Sequence, residues 1–307
     1  MLGEPSQGGS TLGTVARFGV VITAMVTPFD DEGALDLAAA ADLARWLADH
    51  GSDGLVVAGT TGEGSTLTDD EKLDLWRAVA GAVTIPVIAN SGSNDTAHSV
   101  HLTGLAAQCG AAGVLAVTPY YNRPSQAGLE AHFRAIAAAT ELPVMLYDIP
   151  VRSSRKISHE VLVRLATDVP NVAAVKDAAA DVAATARLIA AVPHRFEVYS
   201  GNDDHTLALM ALGAVGVVGV ATHWIGLQMA EMIAAAGKAD LATAREINGR
   251  LLESYLFESG DAAPNPIPAK AMMRTLGLAV GECRLPMGPA PAGLEDRARE
   301  VYANLHG

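Results

Sequence analysis

The sequence predicts a (β/α)8 barrel followed by a group of C-terminal helices. Eight short apolar runs recur at intervals of roughly 30 residues, and stretches of helical length separate them. None of the runs alternates cleanly between apolar and polar residues, which is typical of parallel strands buried on both faces. The chain has 307 residues, half of them hydrophobic, which is enough for such a barrel and a large core.

The predicted strands are mostly rich in Val, Ile or Leu and end in polar residues, Gly or Pro. They are Val20–Val26, Gly54–Ala58, Pro86–Ala89, Gly113–Val117, Pro143–Tyr147, Val172–Lys176, Phe196–Ser200 and Gly216–Val220. Amphipathic stretches that start at turn or capping residues follow five of them: Asp36–His50, Thr68–Ala82, Asp95–Cys109, Ser125–Thr140 and Ser158–Thr167. Thr68 is followed three residues later by Glu71, which indicates a capping box, and Gly110 is placed to end its helix.

Three segments are predicted along the chain. Residues 1–13 contain Glu4 and several Gly and Ser, without the basic start and apolar stretch of a signal peptide, and are expected to form a disordered leader. Residues 14–236 are expected to form the catalytic barrel. Residues 237–307 are expected to form a C-terminal helical domain, because their helical stretches are broken by several prolines.

Composition excludes several classes of function. The net charge of −13 gives an acidic surface that repels phosphate backbones, so no nucleic-acid partner is expected. No apolar run reaches the ~18–20 residues of a membrane span. Cys109 and Cys283 lack the spacing of a zinc or redox motif and are expected to be reduced thiols in a cytoplasmic protein. His98 and His101 share a helix face but have no third ligand nearby, so no metal is expected.

Lys176 is the first candidate for catalysis, because it ends the apolar strand that begins at Val172. In barrels of this type the chemistry lies at the carboxyl ends of the strands. A lysine there would be desolvated, which lowers its pKa and favours the neutral, nucleophilic amine. The alternative is a strand-end lysine whose amine extends to water.

Hydroxyl groups on the same face would support an imine-forming lysine. Tyr147 ends the neighbouring strand, and a phenol can relay protons when other hydroxyls bind it. Thr60, Thr61 and Tyr121 follow two other strands and supply such hydroxyls. The Gly59–Gly62 turn would let backbone N–H groups approach a small carboxylate. Taken singly, the tyrosine could pack the barrel rim, and the turn could be an ordinary loop.

Three further features have competing interpretations. Arg152 lies just beyond the fifth strand and could bind a substrate carboxylate through two hydrogen bonds, or form a surface salt bridge. Asp203 opens a helix, where an acid is favoured by the helix dipole. The Gly213–Gly219 segment lacks the glycine order of a phosphate-binding loop, which favours strand packing.

At these positions the sequence resembles the dihydrodipicolinate synthase family, within the N-acetylneuraminate lyase superfamily. The resemblance extends from about Gly19 to Pro286. The matching motifs, in chain order, are Thr27-Pro28-Phe29, Gly59-Thr60-Thr61-Gly62-Glu63, Thr118-Pro119-Tyr120-Tyr121-Asn122, Tyr147-Asp148-Ile149-Pro150 with Arg152, Val175-Lys176-Asp177, Ser200-Gly201-Asn202-Asp203, Asn265-Pro266-Ile267-Pro268-Ala269-Lys270 and Arg284-Leu285-Pro286. Each motif alone is weak, and their shared order makes the resemblance specific.

The resemblance implies a class I lyase in which Lys176 forms an imine with pyruvate, so that neither a cofactor nor a metal is needed. It implies that Tyr147 relays protons with Thr60 and Tyr121. The enamine would then attack L-aspartate 4-semialdehyde, and the adduct would cyclise to 4-hydroxy-tetrahydrodipicolinate, in lysine and diaminopimelate biosynthesis.

The resemblance also implies how the substrates are bound. Thr60 and Thr61 would hold the pyruvate carboxylate, and Arg152 would bind the carboxylate of the aldehyde. Gly201 and Val218 would contact substrate as well. The partners would be small molecules only, and the expected assembly is a cytoplasmic homotetramer built as a dimer of dimers, in which Tyr121 serves the neighbouring subunit's site.

Departures from the family pattern leave alternatives open. Gly64-Ser65 and Gly219 replace more usual residues, which leaves room for a sister aldolase acting on a sugar acid, such as an N-acetylneuraminate or 2-keto-3-deoxygluconate lyase. Arg152 favours the synthase over those lyases. A non-catalytic barrel that binds a small acid is a third possibility, disfavoured by the intact set of lysine, tyrosine and threonine.

A regulatory cleft is also implied by the resemblance, since lysine inhibits some members of this family between two subunits. Its lining here would be Gly64, Ser65, Asp69, Lys72, Asn94, His98 and Tyr120. Sensitive members typically carry a glutamate where His98 stands and a histidine where Lys72 stands. An ammonium group would therefore lose its acidic partner and meet a like charge, which predicts that the protein is insensitive to lysine.

Overall fold

The computed structural model describes residues 16–306, so the predicted leader lies outside the described residues. Eight parallel strands form a closed barrel in which each strand pairs with the next and β8 pairs with β1. The strands are β1 Val21–Ala24, β2 Gly54–Val57, β3 Val87–Asn90, β4 Gly113–Val117, β5 Val144–Asp148, β6 Val172–Asp177, β7 Glu197–Ser200 and β8 Gly216–Gly219. The predicted (β/α)8 class is confirmed, and the strand ends shift by only one or two residues.

Helices surround the barrel and continue beyond it. They are α1 Leu37–Asp49, α2 Asp69–Ala82, α3 Thr96–Ala106, α4 Gln126–Ala138, α5 Pro150–Ser153, α6 His159–Asp168, α7 Val182–Ala191, α8 Thr206–Met210, α9 Thr222–Gly237, α10 Leu241–Phe257, α11 Ile267–Thr275 and α12 Leu294–His306. Two single 3₁₀ turns lie at Ala107–Cys109 and Asp203–His205. None of the helices between residues 16 and 306 combines the length and the hydrophobicity that spanning a bilayer requires.

The predicted helix starts are confirmed by side-chain capping. Thr68 and Glu71 form the reciprocal capping box at the start of α2. Ser125 and Ser158 accept hydrogen bonds from the first turns of α4 and α6. The third predicted helix ends earlier than expected, because α3 tightens into a 3₁₀ turn before Gly110, whose φ of 81° ends it in the left-handed conformation.

The strands contribute to two buried layers, because successive side chains point to opposite faces of a strand. Alternate side chains fill the barrel interior, including Met145 and Tyr147 of β5 and Ala174 of β6. The other set packs outward against the helices and forms the larger core. Because Lys176 follows Ala174 by two residues on β6, its side chain also points into the barrel.

The C-terminal helices pack on the barrel through α10, which lies along α9, and α12 contacts both α10 and α11. Lys270 of α11 is fully buried, and its Nζ lies 2.7 Å from Oε1 of Glu63 in the turn that follows β2. This ion pair ties the helical extension to the catalytic end of the barrel. We propose residue 236, at the end of α9, as the boundary between barrel and extension.

Candidate active site

Lys176 lies at the carboxyl end of β6, inside the barrel, and is 5% exposed. Burial lowers the pKa of its amine to about 8, while the negative charges of Asp203 and Glu258 act in the opposite direction. Its Nζ lies 4.5 Å from the centre of the Tyr147 ring. The lowered pKa increases the share of neutral amine that can attack a carbonyl at neutral pH, although most of the amine is still protonated there.

Burial alone does not distinguish this lysine from two others. Lys72 and Lys270 are also buried, although both lie in helices. Each of them has a carboxylate partner: Asp69 lies 3.7 Å from Lys72, and Glu63 lies 2.7 Å from Lys270. No acid among residues 16–306 comes within ion-pair distance of Lys176, so its amine is the buried one that is free to react.

Tyr147 lies directly opposite Lys176 in the register of β5 and β6. Burial raises the pKa of its phenol to about 12, and Arg152 and a hydrogen bond from the Thr60 side chain offset part of that increase. The phenol therefore carries its proton at neutral pH. This arrangement suits a group that passes a proton to and from a reacting atom at the Lys176 amine.

The turn after β2 presents Thr60 and Thr61 differently. Thr60 is exposed and lines a cavity of about 440 Å³ at the mouth of the barrel. Thr61 is buried, and its Oγ1 accepts a hydrogen bond of 3.0 Å from Nδ2 of Asn265, which leaves the hydroxyl proton of Thr61 available to another acceptor. A Cβ at Gly62 would lie 2.9 Å from the carbonyl oxygen of Met25. Close packing against the end of β1 therefore requires this glycine, whatever it contributes to ligand binding.

Arg152 lies on α5, immediately after β5, and lines the same cavity as Thr60. It is exposed, and its positive charge acts on both Tyr147 and Lys176. No salt bridge to Arg152 is formed within the described chain. The guanidinium is thus free to bind a carboxylate that enters the cavity.

Gly201 and Val218 also lie near this end of the barrel. A Cβ at Gly201 would come 2.7 Å from Cβ of Ala178, so packing between the loops after β6 and β7 requires a glycine there. Val218 is fully buried on β8 and belongs to the interior cluster that contains Tyr147. Their predicted contacts with substrate stay predictions.

Tyr121 does not join the other candidates within this chain. Its side chain is 91% exposed, and it does not line the cavity that holds Thr60 and Arg152, whereas its neighbour Tyr120 does. Its φ of 73° is a left-handed conformation that is unfavourable for a tyrosine and is found most often at functional sites. An exposed, strained aromatic is compatible with donation to a second subunit.

The structure adds three residues that the sequence interpretation had not placed in the site. Asp203 begins a 3₁₀ turn, as expected of a helix-start acid, but its side chain does not cap that turn. Its Oδ2 instead accepts the N–H of Val220, 2.8 Å away beyond β8. Glu258, at the end of α10, reaches the same loop through the N–H of Ala221. Asn265 belongs to a motif already noted, but its contact with Thr61 spans 204 residues and leaves no local signal.

Comparison with known proteins gives a consistent result. A sequence profile of the dihydrodipicolinate synthetase family matches residues 17–303. The 4-hydroxy-tetrahydrodipicolinate synthase of Acidothermus cellulolyticus is 50% identical over 290 residues, which cover 94% of this chain and 92% of that protein. The enzyme of the same name from Bacillus subtilis is 46% identical over 277 residues, which cover 89% and 94%.

Solved structures of similar proteins superpose along nearly the whole chain. Dihydrodipicolinate synthase from Bacillus anthracis is 43% identical, with a TM-score of 0.89 over 93% of this chain and 98% of that one. The lysine-bound enzyme from Cyanidioschyzon merolae is 42% identical, with a TM-score of 0.90 over 94% and 99%. These values are far above what a shared barrel alone would give.

Proposed function

The chain belongs to the dihydrodipicolinate synthetase family, and we propose that it performs the reaction of that family through Lys176. It condenses pyruvate with L-aspartate 4-semialdehyde to 4-hydroxy-tetrahydrodipicolinate, a lyase reaction of lysine and diaminopimelate biosynthesis. The reaction proceeds through a covalent imine of pyruvate with a lysine and uses no separate cofactor. The observation that carries the assignment of Lys176 is a buried amine without an acidic partner beside a buried tyrosine.

The first half of the reaction forms the nucleophile. The neutral amine of Lys176 adds to the ketone carbon of pyruvate, and loss of water from the carbinolamine gives the imine. Tyr147, 4.5 Å from the amine as measured to its ring centre, supplies the proton that leaves with that water. Thr60 and the partner subunit's Tyr121 complete the relay to solvent. The deprotonated Tyr147 then takes a proton from the methyl carbon, which converts the imine into an enamine and restores the phenol.

The second half joins the two substrates. The enamine carbon attacks the aldehyde carbon of the semialdehyde, and Tyr147 returns a proton to the new alkoxide. The amino group of the semialdehyde then displaces Lys176 from the imine, which closes the ring and releases the enzyme. One water molecule is lost overall, so the atoms of the two substrates balance those of the product and water.

Substrate carboxylates are assigned to two groups of donors. The Thr60–Thr61 turn holds the carboxylate of pyruvate. Because Thr61 accepts a hydrogen bond from Asn265, its own hydroxyl proton is available to that carboxylate. Arg152 holds the carboxylate of the semialdehyde at the cavity mouth. Gly201 and Val218 shape the pyruvate subsite from β7 and β8.

Assembly and location complete the proposal. The 91% exposure of Tyr121 supports a tight dimer in which each tyrosine enters the partner's site, and two such dimers form a homotetramer. A cytoplasmic location is proposed from the two thiols, Cys109 and Cys283, which are free.

Trapping with borohydride tests the assignment of Lys176. Reduction in the presence of pyruvate should add one reduced pyruvate per chain, on the peptide that contains Lys176. Lys72→Ala, which removes another buried lysine, should retain the label, and Lys176→Ala should lose it. Label on another lysine, or none, would contradict the mechanism. Turnover of pyruvate with aspartate semialdehyde should exceed turnover with N-acetylmannosamine or glyceraldehyde, which distinguishes the synthase from the sugar-acid lyases.

A further inference from the structure

Two carboxyl groups from distant parts of the chain meet at the loop after β8. Asp203 follows β7, and its Oδ2 accepts the N–H of Val220 at 2.8 Å. Glu258 lies at the end of α10, and its Oε2 accepts the N–H of Ala221 at 3.1 Å. Because Val220 and Ala221 are consecutive, their two acceptors are held side by side, within hydrogen-bonding distance of each other.

The remaining oxygen of Asp203 lacks a donor, which a proton between the two groups would supply. Asp203 is 1% exposed, and its Oδ1 has no N–H or O–H donor among the described residues. The adjacent carboxyl of Glu258 can satisfy it only when one of the two acids is protonated. Burial raises the pKa of Asp203, although the hydrogen bond with Glu258 acts against that increase. Burial and the negative charge of Asp203 together raise the pKa of Glu258 well above its usual range, which favours the proton on Glu258.

Gly219 makes room for this arrangement. A Cβ at that position would lie 2.4 Å from Oδ1 of Asp203, so any side chain on this residue of β8 would displace the carboxyl. The absence of a side chain at Gly219 therefore leaves space for the carboxyl of Asp203.

The pair lies on the side of the barrel next to Lys176. Lys176 pairs with Tyr199 of β7, and Asp203 follows that strand directly. The charges of Asp203 and Glu258 favour the protonated amine of Lys176, and the charge of Arg152 opposes them. Around the pair itself, Asp204 adds negative charge. Two buried phenols face this region. The ring of Tyr147 lies beside Nζ of Lys176, and burial together with the charges of both acids raises the pKa of Tyr255.

We propose that Asp203 and Glu258 share one proton and hold a single negative charge beside Lys176, where they act as positioning residues that stabilise its cationic imine. A shared proton keeps the charge of the pair at −1 over a wide pH range, whereas two free carboxylates would bring −2 and hold the amine protonated. The inference rests on the proposed role of Lys176 as the residue that forms the imine.

The proposal predicts an unusual pattern among amide variants. Asp203→Asn leaves Glu258 to carry the charge, and Glu258→Gln leaves Asp203 to carry it. Each single variant should therefore keep the pH midpoint of imine formation within about 0.5 unit of the wild type, and only the double variant should lower it, by about one unit. The midpoint is measured from the initial rate of borohydride-trapped imine with pyruvate, between pH 6 and 10.

Asp204→Asn is the matched control, because it removes a neighbouring acid whose side chain is 57% exposed. Its midpoint should not move, since solvent screens that charge. If either single variant or Asp204→Asn lowers the midpoint as far as the double variant does, the shared charge is refuted. A merely structural role would change folding or the overall rate without moving the midpoint.

Infrared spectroscopy tests the shared proton without depending on catalysis or on the double variant. At pH 8 the wild type should show the carbonyl stretch of a protonated carboxylic acid, and each single variant should lose it, because the remaining acid is then ionised. Absence of that band in the wild type would overturn the proposal. If pyruvate fails to label Lys176 in the wild type, the proposed function fails, while the infrared result still decides whether the proton is shared.

Discussion

The reactivity of Lys176 is a property of one amine and its surroundings. Because burial lowers its pKa to about 8, the amine is mostly protonated below that pH and cannot attack pyruvate. The rate of imine formation should rise about tenfold per pH unit below pH ~7 and level off above pH ~8. Stopped-flow measurement of imine formation across pH 5.5–9.5 checks this, and a rate that does not change between pH 6 and 8 would contradict it.

Arg152 should matter for the aldehyde and little for pyruvate. Its guanidinium lines the cavity mouth, whereas Lys176 lies inside the barrel. Hydrogen bonds to charged groups contribute about 1.5–3 kcal/mol, so Arg152→Ala should lower kcat/KM for aspartate semialdehyde at least ~10-fold while imine formation with pyruvate survives. Arg187→Ala, an exposed arginine on the outer helix α7, is the control. Unchanged aldehyde kinetics would remove Arg152 from the site.

Residues at strand ends could be predicted from sequence, and residues that act from a distance could not. Lys176 and Tyr147 each close an apolar run, and the barrel topology brings neighbouring strand ends together. Asn265 and Glu258 lie outside any strand, and their contacts with Thr61 and Ala221 depend on how the C-terminal helices dock. No local pattern reports such a contact.

At the scale of elements, the ion pair between Glu63 and Lys270 joins α11 to the turn after β2. Their side chains are 1% and 0% exposed. Removing one partner leaves a buried charge unpaired, so Glu63→Gln or Lys270→Met should each lower the free energy of unfolding by about 3–5 kcal/mol. The double variant should recover much of that loss, because no unpaired charge remains. Urea unfolding measures this, and simple additivity of the two losses would contradict it.

The starts of helices could be predicted where the capping residues lie close to the helix in sequence. The capping box of Thr68 and Glu71 and the serine caps of α4 and α6 lie within a few residues of the helices they start. Strand ends shifted because the last ladder hydrogen bond depends on the neighbouring strand, as at Asp148 and Asp177, which pair with each other beyond the predicted ends. Side-chain partners across elements, such as Lys270 with Glu63, required the folded barrel.

At the scale of the whole molecule, the closed barrel was predictable because eight repeated units leave few other arrangements of a parallel sheet. No comparable repeat in the sequence predicts which surfaces meet between subunits. The cavity at the barrel mouth includes Asp69, Lys72 and His98, the residues that the family resemblance assigns to a lysine-binding cleft. Which ligand binds there depends on the charges of these three side chains.

We expect L-lysine at millimolar concentration to leave the initial rate essentially unchanged. Asp69 is the acid that could receive a lysine ammonium, but Nε2 of His98 already lies 2.9 Å from both of its oxygens, and Nζ of Lys72 lies 3.7 Å away. An incoming ammonium would displace these contacts and meet a like charge. Half-inhibition below about 1 mM, which corresponds to about −4.1 kcal/mol of binding, would contradict this expectation. His98→Glu, which restores an acid, should increase sensitivity.

Assembly decides whether Tyr121 contributes to catalysis, since this residue is 91% exposed and does not line the cavity of its own chain. Tyr121→Phe should lower activity without lowering the free energy of unfolding, because an exposed hydroxyl contributes little to the fold. Mixed dimers of Tyr121→Phe chains with Lys176→Ala chains should regain activity above either parent. In such a dimer the Tyr121→Phe chain keeps its own Lys176 and receives an intact tyrosine from its partner, so one of the two sites is fully wild type. Hybrids that stay as inactive as the parents would show that the tyrosine acts within its own chain.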